Sequence, residues 1–272
     1  MRKEPWLVVA VVVFVLAGGA AWWWWQQQQT PPAAPVAEAA RPAPPVVPPP
    51  PVAAAAPGIR HPIEAPVEAA GALDPTAALI DLVGRPTVLS TFRLDDFPRR
   101  FVATVDNLGR SSAPSGIWPI EPSSGQLVVE PAGADAVIGA DNSRRYTPFV
   151  LLVEGVDVAR AVATYRRLYP LFQRAYEELG YPGRYFNDRV VEVIDLLLAT
   201  PATATPPKVR LPIINGPVQP KRPWLLYQFD DPALESMTAG QKILLRMGPE
   251  NSRRMKSRLV EIRRLLVSPK GS

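Results

Sequence analysis

No cysteine occurs among the 272 residues, and histidine occurs once, at His61. Disulfides, thiolate nucleophiles and Cys-based metal sites are therefore excluded. The single imidazole stands in a stretch that reads as linker, which removes Ser-His-Asp triads, His-ligated zinc and haem. The chain also lacks GxxxxGK[ST], GxSxG, SxxK and a strand-linked GxGxxG. Nucleotide cradles and the common serine nucleophiles thus have no local signature, and no cofactor or metal is expected. Asp, Glu, Tyr and Lys remain for acid–base chemistry.

What is abundant is proline: 34 residues, about one in eight, against roughly 5% in average usage. Thirteen of them fall between Pro31 and Pro66, among Ala and Val, with Pro48 to Pro51 in a row. Proline fixes φ and removes the amide donor, so residues 26–72 are expected to form neither helix nor central strand. They read as a disordered, semi-rigid Pro/Ala-rich linker, and His61 falls inside it.

Before the linker stand 20 uncharged residues, Trp6 to Trp25. At 1.5 Å per residue they would span about 30 Å, the thickness of a bilayer's hydrocarbon core. Trp6 at one end and Trp22, Trp23, Trp24 and Trp25 at the other have the chemistry of interfacial anchors. Arg2 and Lys3 precede the run, and no basic residue follows it until Arg41. The positive-inside rule then puts residues 1–5 in the cytoplasm and all that follows Trp25 outside it. In a bacterial envelope this predicts an inner-membrane, single-pass protein with a periplasmic domain. The competing reading is a signal peptide cut near Ala17–Ala21. It would leave an exposed indole cluster at the new terminus, so the uncleaved anchor is preferred.

From residue 73 to 272 the pattern is mainly α: seven or eight helices with at most a small β element. Asp74-Pro75, Asp157, Asp231-Pro232 and the Thr238…Gln241 capping box mark helix starts, and Asp95 or Asp96 marks another. The longest helix carries Val162, Tyr165, Tyr169, Phe172, Tyr176 and Leu179 on one face, with a kink expected at Pro170. Val190 to Leu198 and Glu250 to Val267 form two more amphipathic helices, and Thr147-Pro148 starts a short one. Residues 110–125 read as loop. Gln126 to Glu130, stopped by Pro131, is the best strand; Val209 to Ile214 is a candidate edge strand and Trp224 to Phe229 a second.

Three clusters could carry chemistry. Asp188, Glu192 and Asp195 share a helical face and could hold a hard cation or supply a base, although a solvated face paired with arginines is the simpler reading. Tyr165, Tyr169 and Tyr176 could shelve a sugar, but their spacing matches the packed face. Cations form the third. Residues 1–72 are neutral, so the formal net charge of +5 belongs to the domain. Arg144 and Arg145 could grip a carboxylate or phosphate, or fix the turn before Pro148. Arg253, Arg254, Lys256, Arg258, Arg263 and Arg264 crowd the last helix, either as a contact surface or as a solvated, dipole-complementing face. Nucleic acid is the usual target of such a patch, but the expected compartment argues against it.

The blocks Phe101-Val-Ala-Thr-Val-Asp-Asn-Leu108, Asn142-Ser-Arg-Arg-Tyr146, Tyr165-Arg-Arg-Leu-Tyr-Pro-Leu171, Ala175-Tyr-Glu-Glu-Leu-Gly180 and Leu244-Leu-Arg-Met-Gly-Pro-Glu-Asn251 stand in that order. On them, residues 75–267 resemble the bacterial family known as domain of unknown function 3014. Members look like uncharacterised envelope proteins with a membrane segment, a proline-rich stretch and this domain. The resemblance implies no activity. The sequence therefore favours a non-enzymatic, membrane-anchored scaffold that binds a protein partner or an anionic envelope polymer. The alternative is a carboxylate-dependent glycan hydrolase, which needs only two acids facing one cleft.

Overall fold

A computed structural model describes residues 58–63, 73–132, 135–212 and 221–267. These residues are mainly helical, with nine α-helices and a four-stranded antiparallel sheet among them. The tryptophan-flanked run 6–25 lies outside the described residues. Among those described, no helix is long and apolar enough to cross a membrane.

Helix α1, Pro75–Val83, starts where the Asp74 carboxylate accepts from the Thr76 amide at 2.8 Å. It stops at Gly84, whose φ of 84° an L side chain rarely adopts, and α2, Arg85–Thr91, leaves in a new direction. This second helix is the one the sequence pattern misses: seven residues are too few for a periodicity. Helix α3, Phe97–Leu108, follows Asp96. Here the expected side-chain cap is not made. Asp96 sits at φ 50°, ψ 41° in place of the extended N-cap conformation, which turns its carboxylate away from the helix amides and toward Arg99. Asp95 instead pairs with Arg100 at 2.5 Å.

Helix α4 is Thr147–Gly155 and α5 is Val158–Glu178. The Asp157 cap of α5 forms as predicted, accepting from the Arg160 amide at 2.7 Å. Pro170 does not interrupt α5; it lies on the exposed side, where water can satisfy the carbonyl that loses its donor. Helix α6, Phe186–Leu198, begins four residues before Val190. Helices α7, Pro232–Glu235, and α8, Ala239–Arg246, carry the predicted Asp231 cap and Thr238–Gln241 capping box. Helix α9, Pro249–Val267, closes the described chain.

The strands β1 (Val129–Ala132), β2 (Asp135–Ile138), β3 (Lys208–Arg210) and β4 (Gln228–Phe229) pair in that order. Pro131 does not end β1 but lies inside it, opposite Ala136; among the described residues β1 has a neighbour on one side only, and the missing donor costs no ladder bond. The 208–210 segment pairs with both β2 and β4, so it is internal and not an edge. Of Trp224 to Phe229 only the last two residues are strand, and Pro223–Leu225 is a 3-10 turn.

One apolar core joins α1, α2, α3, α5, α6 and α9. Its centre is aromatic: Phe101 and Phe172 lie 4.7 Å apart between centroids, and Phe186 is fully buried beside Tyr176 at 5.3 Å. Helix α6 is covered on two sides. Val190, Val191 and Ile194 enter this core, while Val193 and Leu197 join Val150, Leu244 and Met247 in a second cluster. Across α8, Leu245 packs on the sheet with Ile138, Val209 and Phe229.

This layering requires α8 to approach α3 and α6 closely at Gly240. A Cβ there would stand 2.5 Å from Leu197 Cδ2 and 3.1 Å from the Leu108 carbonyl oxygen. Overpacking of that kind costs about 1–3 kcal/mol, more than alanine's helical advantage of up to about 1 kcal/mol. Gly240→Ala is expected to lower unfolding free energy in urea titrations. An unchanged or higher midpoint would contradict the close approach.

Candidate functional site

The basic residues singled out in the sequence are engaged within the fold. Arg144 is exposed and pairs with Asp141 at 3.2 Å. Arg145 donates to the carbonyls of Ser124 and Gly125 and to Asn142 Oδ1, which pins the 110–127 segment beside α4. On α9, Arg253 pairs with Glu250 of its own helix at 2.7 Å. Arg254 holds both carboxylate oxygens of Glu154 on α4, and Arg258 donates to the Glu154 carbonyl and pairs with Glu261. Lys256 donates to the Thr200 carbonyl just past α6, and Arg263 grips Asp195 of α6 with two nitrogens. Arg264 is exposed. Arg254, Lys256, Arg258 and Arg263 thus tie α9 to its neighbours.

The acids on α6 separate in the same way. Asp188 accepts the amides of Arg60 and His61 at 3.0 and 2.8 Å, Glu192 pairs with Arg189 at 2.8 Å, and Asp195 is held by Arg263. They are three individual partners of three elements, and among the described residues no group of three acids or histidines is placed to hold a metal. Tyr169 and Tyr176 are buried and Tyr165 is half-buried against them, so the tyrosine row is core. Burial pushes all three phenols above their usual range.

Residues 58–63 correct one expectation directly. They stand in the stretch read as disordered, yet they lie as a strap along the start of α6. Asp188 takes two strap amides, Asn187 Nδ2 donates to the His61 carbonyl at 2.9 Å, and the Tyr185 hydroxyl accepts from the Ile63 amide at 2.6 Å. Every one of these bonds goes to strap backbone, so composition gives no hint of them.

Two concave regions stand out among the described residues. The larger is a groove of about 1190 Å³ between the 110–127 segment, α4, the 222–227 segment and α8. Trp118, Tyr146, Phe149, Trp224, Leu225 and Tyr227 supply its apolar surface, and Leu225 is 68% exposed. Arg145, Arg222, Lys242 and Arg246 line it; Lys242 is paired with Glu235 at 3.0 Å, and the one acid of the lining, Glu121, is paired with Arg93. Arg246 lies over Phe229 at 5.1 Å and donates to the Tyr227 carbonyl; burial lowers its guanidinium below the ordinary value. No side-chain partner of Arg222 is found among the described residues. The sequence does give part of this site away: two proline-containing, aromatic-bearing segments that belong to no α-helix. Their meeting depends on a chain separation of about 100 residues, which periodicity does not encode.

The smaller region is a polar cleft of about 330 Å³ beside the strap. At its floor Asp106 is 3% exposed, yet both carboxylate oxygens are satisfied: one by Arg189 at 3.0 Å, the other by Arg110 at 2.7 Å and the Tyr181 hydroxyl at 3.0 Å. Stranding a buried charge by removing its partner costs about 3–5 kcal/mol, so this network is part of the frame that joins α3 to α6.

The ion pairs of α9 carry a pH signature. Hydrogen bonds from Arg254 and Arg263 hold Glu154 and Asp195 below their ordinary 4.5 and 3.8. A carboxylate depressed in the folded chain stabilises the fold above its unfolded pKa, and the contribution fades as pH falls through the folded value. The double variant Arg254→Gln, Arg263→Gln should therefore lose a few degrees in Tm at about pH 7 and progressively less as the pH is lowered from about 5 to about 2. An equal loss at both ends would show that packing, not charge, was removed.

No curated protein and no solved structure matches the chain. Residues 97–263, from the start of α3 to near the end of α9, match the family described as "Protein of unknown function (DUF3014)". That span contains the whole sheet, the Asp106 network and nearly all of the groove lining, and it leaves out the strap, α1 and α2. It covers well over half of the chain, and the protein belongs to the DUF3014 family.

Proposed function

We propose that this protein is a non-enzymatic, membrane-anchored interaction module, and that its groove takes an extended, acidic segment of a partner protein. The observation that carries this reading is the lining of the groove. Trp, Tyr and Arg are the residues that dominate binding hot spots, and Trp118, Trp224, Tyr146, Tyr227 and Arg222 come together there around an exposed Leu225. Arg145, Arg222 and Arg246 have no carboxylate partner among the described residues, and against a single, already paired acid they select for negative charge. A partner that supplies apolar anchors and flanking carboxylates meets both demands.

The rest of the proposal concerns placement. The run Trp6 to Trp25 serves as an uncleaved anchor, with Arg2 and Lys3 on the cytoplasmic side and the domain in the periplasm. Residues 26–57 act as a spacer of up to about 100 Å if extended as polyproline II. A glycan hydrolase is less well supported. Asp106 and Asp188 have both oxygens engaged by protein donors, and Glu192 pairs with Arg189, so the acids of the polar cleft leave no free pair for catalysis.

Two measurements test this. A reporter active only outside the cytoplasm, fused after Ser272 of the full chain, should be active; activity of a cytoplasm-only reporter at that position would overturn the placement. For the groove, a photo-activated crosslinking residue replaces Leu225 in cells, with Val260, 54% exposed on α9, as the control position. Position 225 should join the chain to an acid-rich segment identified by mass spectrometry. Arg222→Glu should reduce that yield by up to roughly fivefold, the worth of one exposed charge pair at about 1 kcal/mol. Equal adducts from both positions, or adducts that contain polymer and no peptide, would refute a protein occupant of the groove.

A further inference from the structure

The polar cleft has a feature that the groove reading does not use: one of its walls is the strap. Arg60 lines the cleft together with Arg110, Arg184 and Arg189. The acids facing it are Asp106, Asp188 and Glu192. Arg110 and Arg189 are taken up by Asp106 and Glu192. Asp188 is occupied by two strap amides and by no cation. No carboxylate partner of the Arg60 or Arg184 side chain is found among the described residues. Two guanidiniums with open donors therefore border one cleft, and one of them is there only because the strap is docked.

From this we infer that the cleft is a binding site for a compact oxyanion, a phosphate monoester or a small dicarboxylate, and that docking of residues 58–63 completes it. A guanidinium presents paired donors that match both ligand types, which share the needed chemistry of two or more acceptor oxygens on one centre. The Tyr181 and Tyr185 rings give the cleft a partly apolar wall, and a volume of about 330 Å³ suits a small molecule and not a polymer chain. The strap's hydrogen bonds run through its backbone and its Ile63 side chain packs on the apolar core, so these contacts give the Arg60 side chain no structural duty that would compete with a ligand. The anion and the strap are then linked: a ligand that needs Arg60 favours the docked strap, and a docked strap raises affinity for the ligand.

The linkage makes a prediction opposite in sign to simple electrostatics. Removing the Asp188 carboxylate deletes a negative charge from the cleft, which by charge alone should tighten anion binding. If the strap completes the site, Asp188→Ala should weaken binding instead, because it releases the amides of Arg60 and His61. The experiment uses the full chain in detergent micelles, with inorganic phosphate and succinate as separate probes, calorimetry for affinity and hydrogen exchange for the strap amides. At least one probe should bind and slow exchange at the amides of Arg60, His61 and Ile63. Arg60→Gln and Arg184→Gln should each reduce affinity roughly tenfold or more with unchanged circular dichroism, and Asp188→Ala should reduce it as well. Binding of phosphate alone identifies a phosphate ligand, and binding of succinate alone a carboxylate. Failure of both probes, binding that survives the Arg60→Gln, Arg184→Gln pair, or tighter binding by Asp188→Ala would overturn the inference. Neither outcome bears on the groove, which shares no residue with this cleft.

Discussion

Helix α6 has to be buried on two sides at once, and most of the domain is arranged to meet that demand. Val190, Val191 and Ile194 need the aromatic core of α3 and α5, whereas Val193 and Leu197 need α4 and α8. A helix covered twice leaves only narrow seams for its polar residues, and each seam opens toward a different element. Asn187 and Asp188 meet the strap, Arg189 meets Asp106 on α3, and Asp195 meets Arg263 on α9. The charged residues of α6 thus act as separate ties. Gly240 is the corresponding concession on the other side, since the second cover can seat itself only where no side chain intervenes.

The same geometry explains why a domain of net positive charge shows so little free charge on its last helix. Cations on α9 reach carboxylates and carbonyls of α4, α6 and the turn at Thr200, so a row of arginines that looks in sequence like an exposed patch is largely a set of internal contacts. Cations with open donors border the two concavities instead, Arg222 in the groove and Arg60 and Arg184 in the cleft. None of those three belongs to a cluster in the sequence.

How far the sequence could be read follows from which interactions are local. Caps are local, and those of α1, α5, α7 and α8 are legible in Asp74, Asp157, Asp231 and the Thr238–Gln241 box. Helical faces are nearly local, so the tyrosine row of α5 reads correctly as core. Asp96 fails as a cap because its backbone adopts a left-handed conformation that residue type alone does not dictate. Strands of two to four residues carry no period, and β2 gains its place from pairing with Val209 across the chain. The strap and both concavities rest on contacts between distant segments, with backbone groups as the recognised partners, and such contacts leave almost no mark on composition.

A rigid helical frame displays loop-built surfaces, and native-state hydrogen exchange on the full chain tests that division most directly. Amides of Val190 to Leu198 should exchange only through global unfolding, because the helix is covered on two sides there. The groove segments 110–127 and 222–227, built from turns and short 3-10 pieces, should open locally at lower free energy. Exchange of α6 ahead of those segments would contradict the claim that its double burial organises the fold.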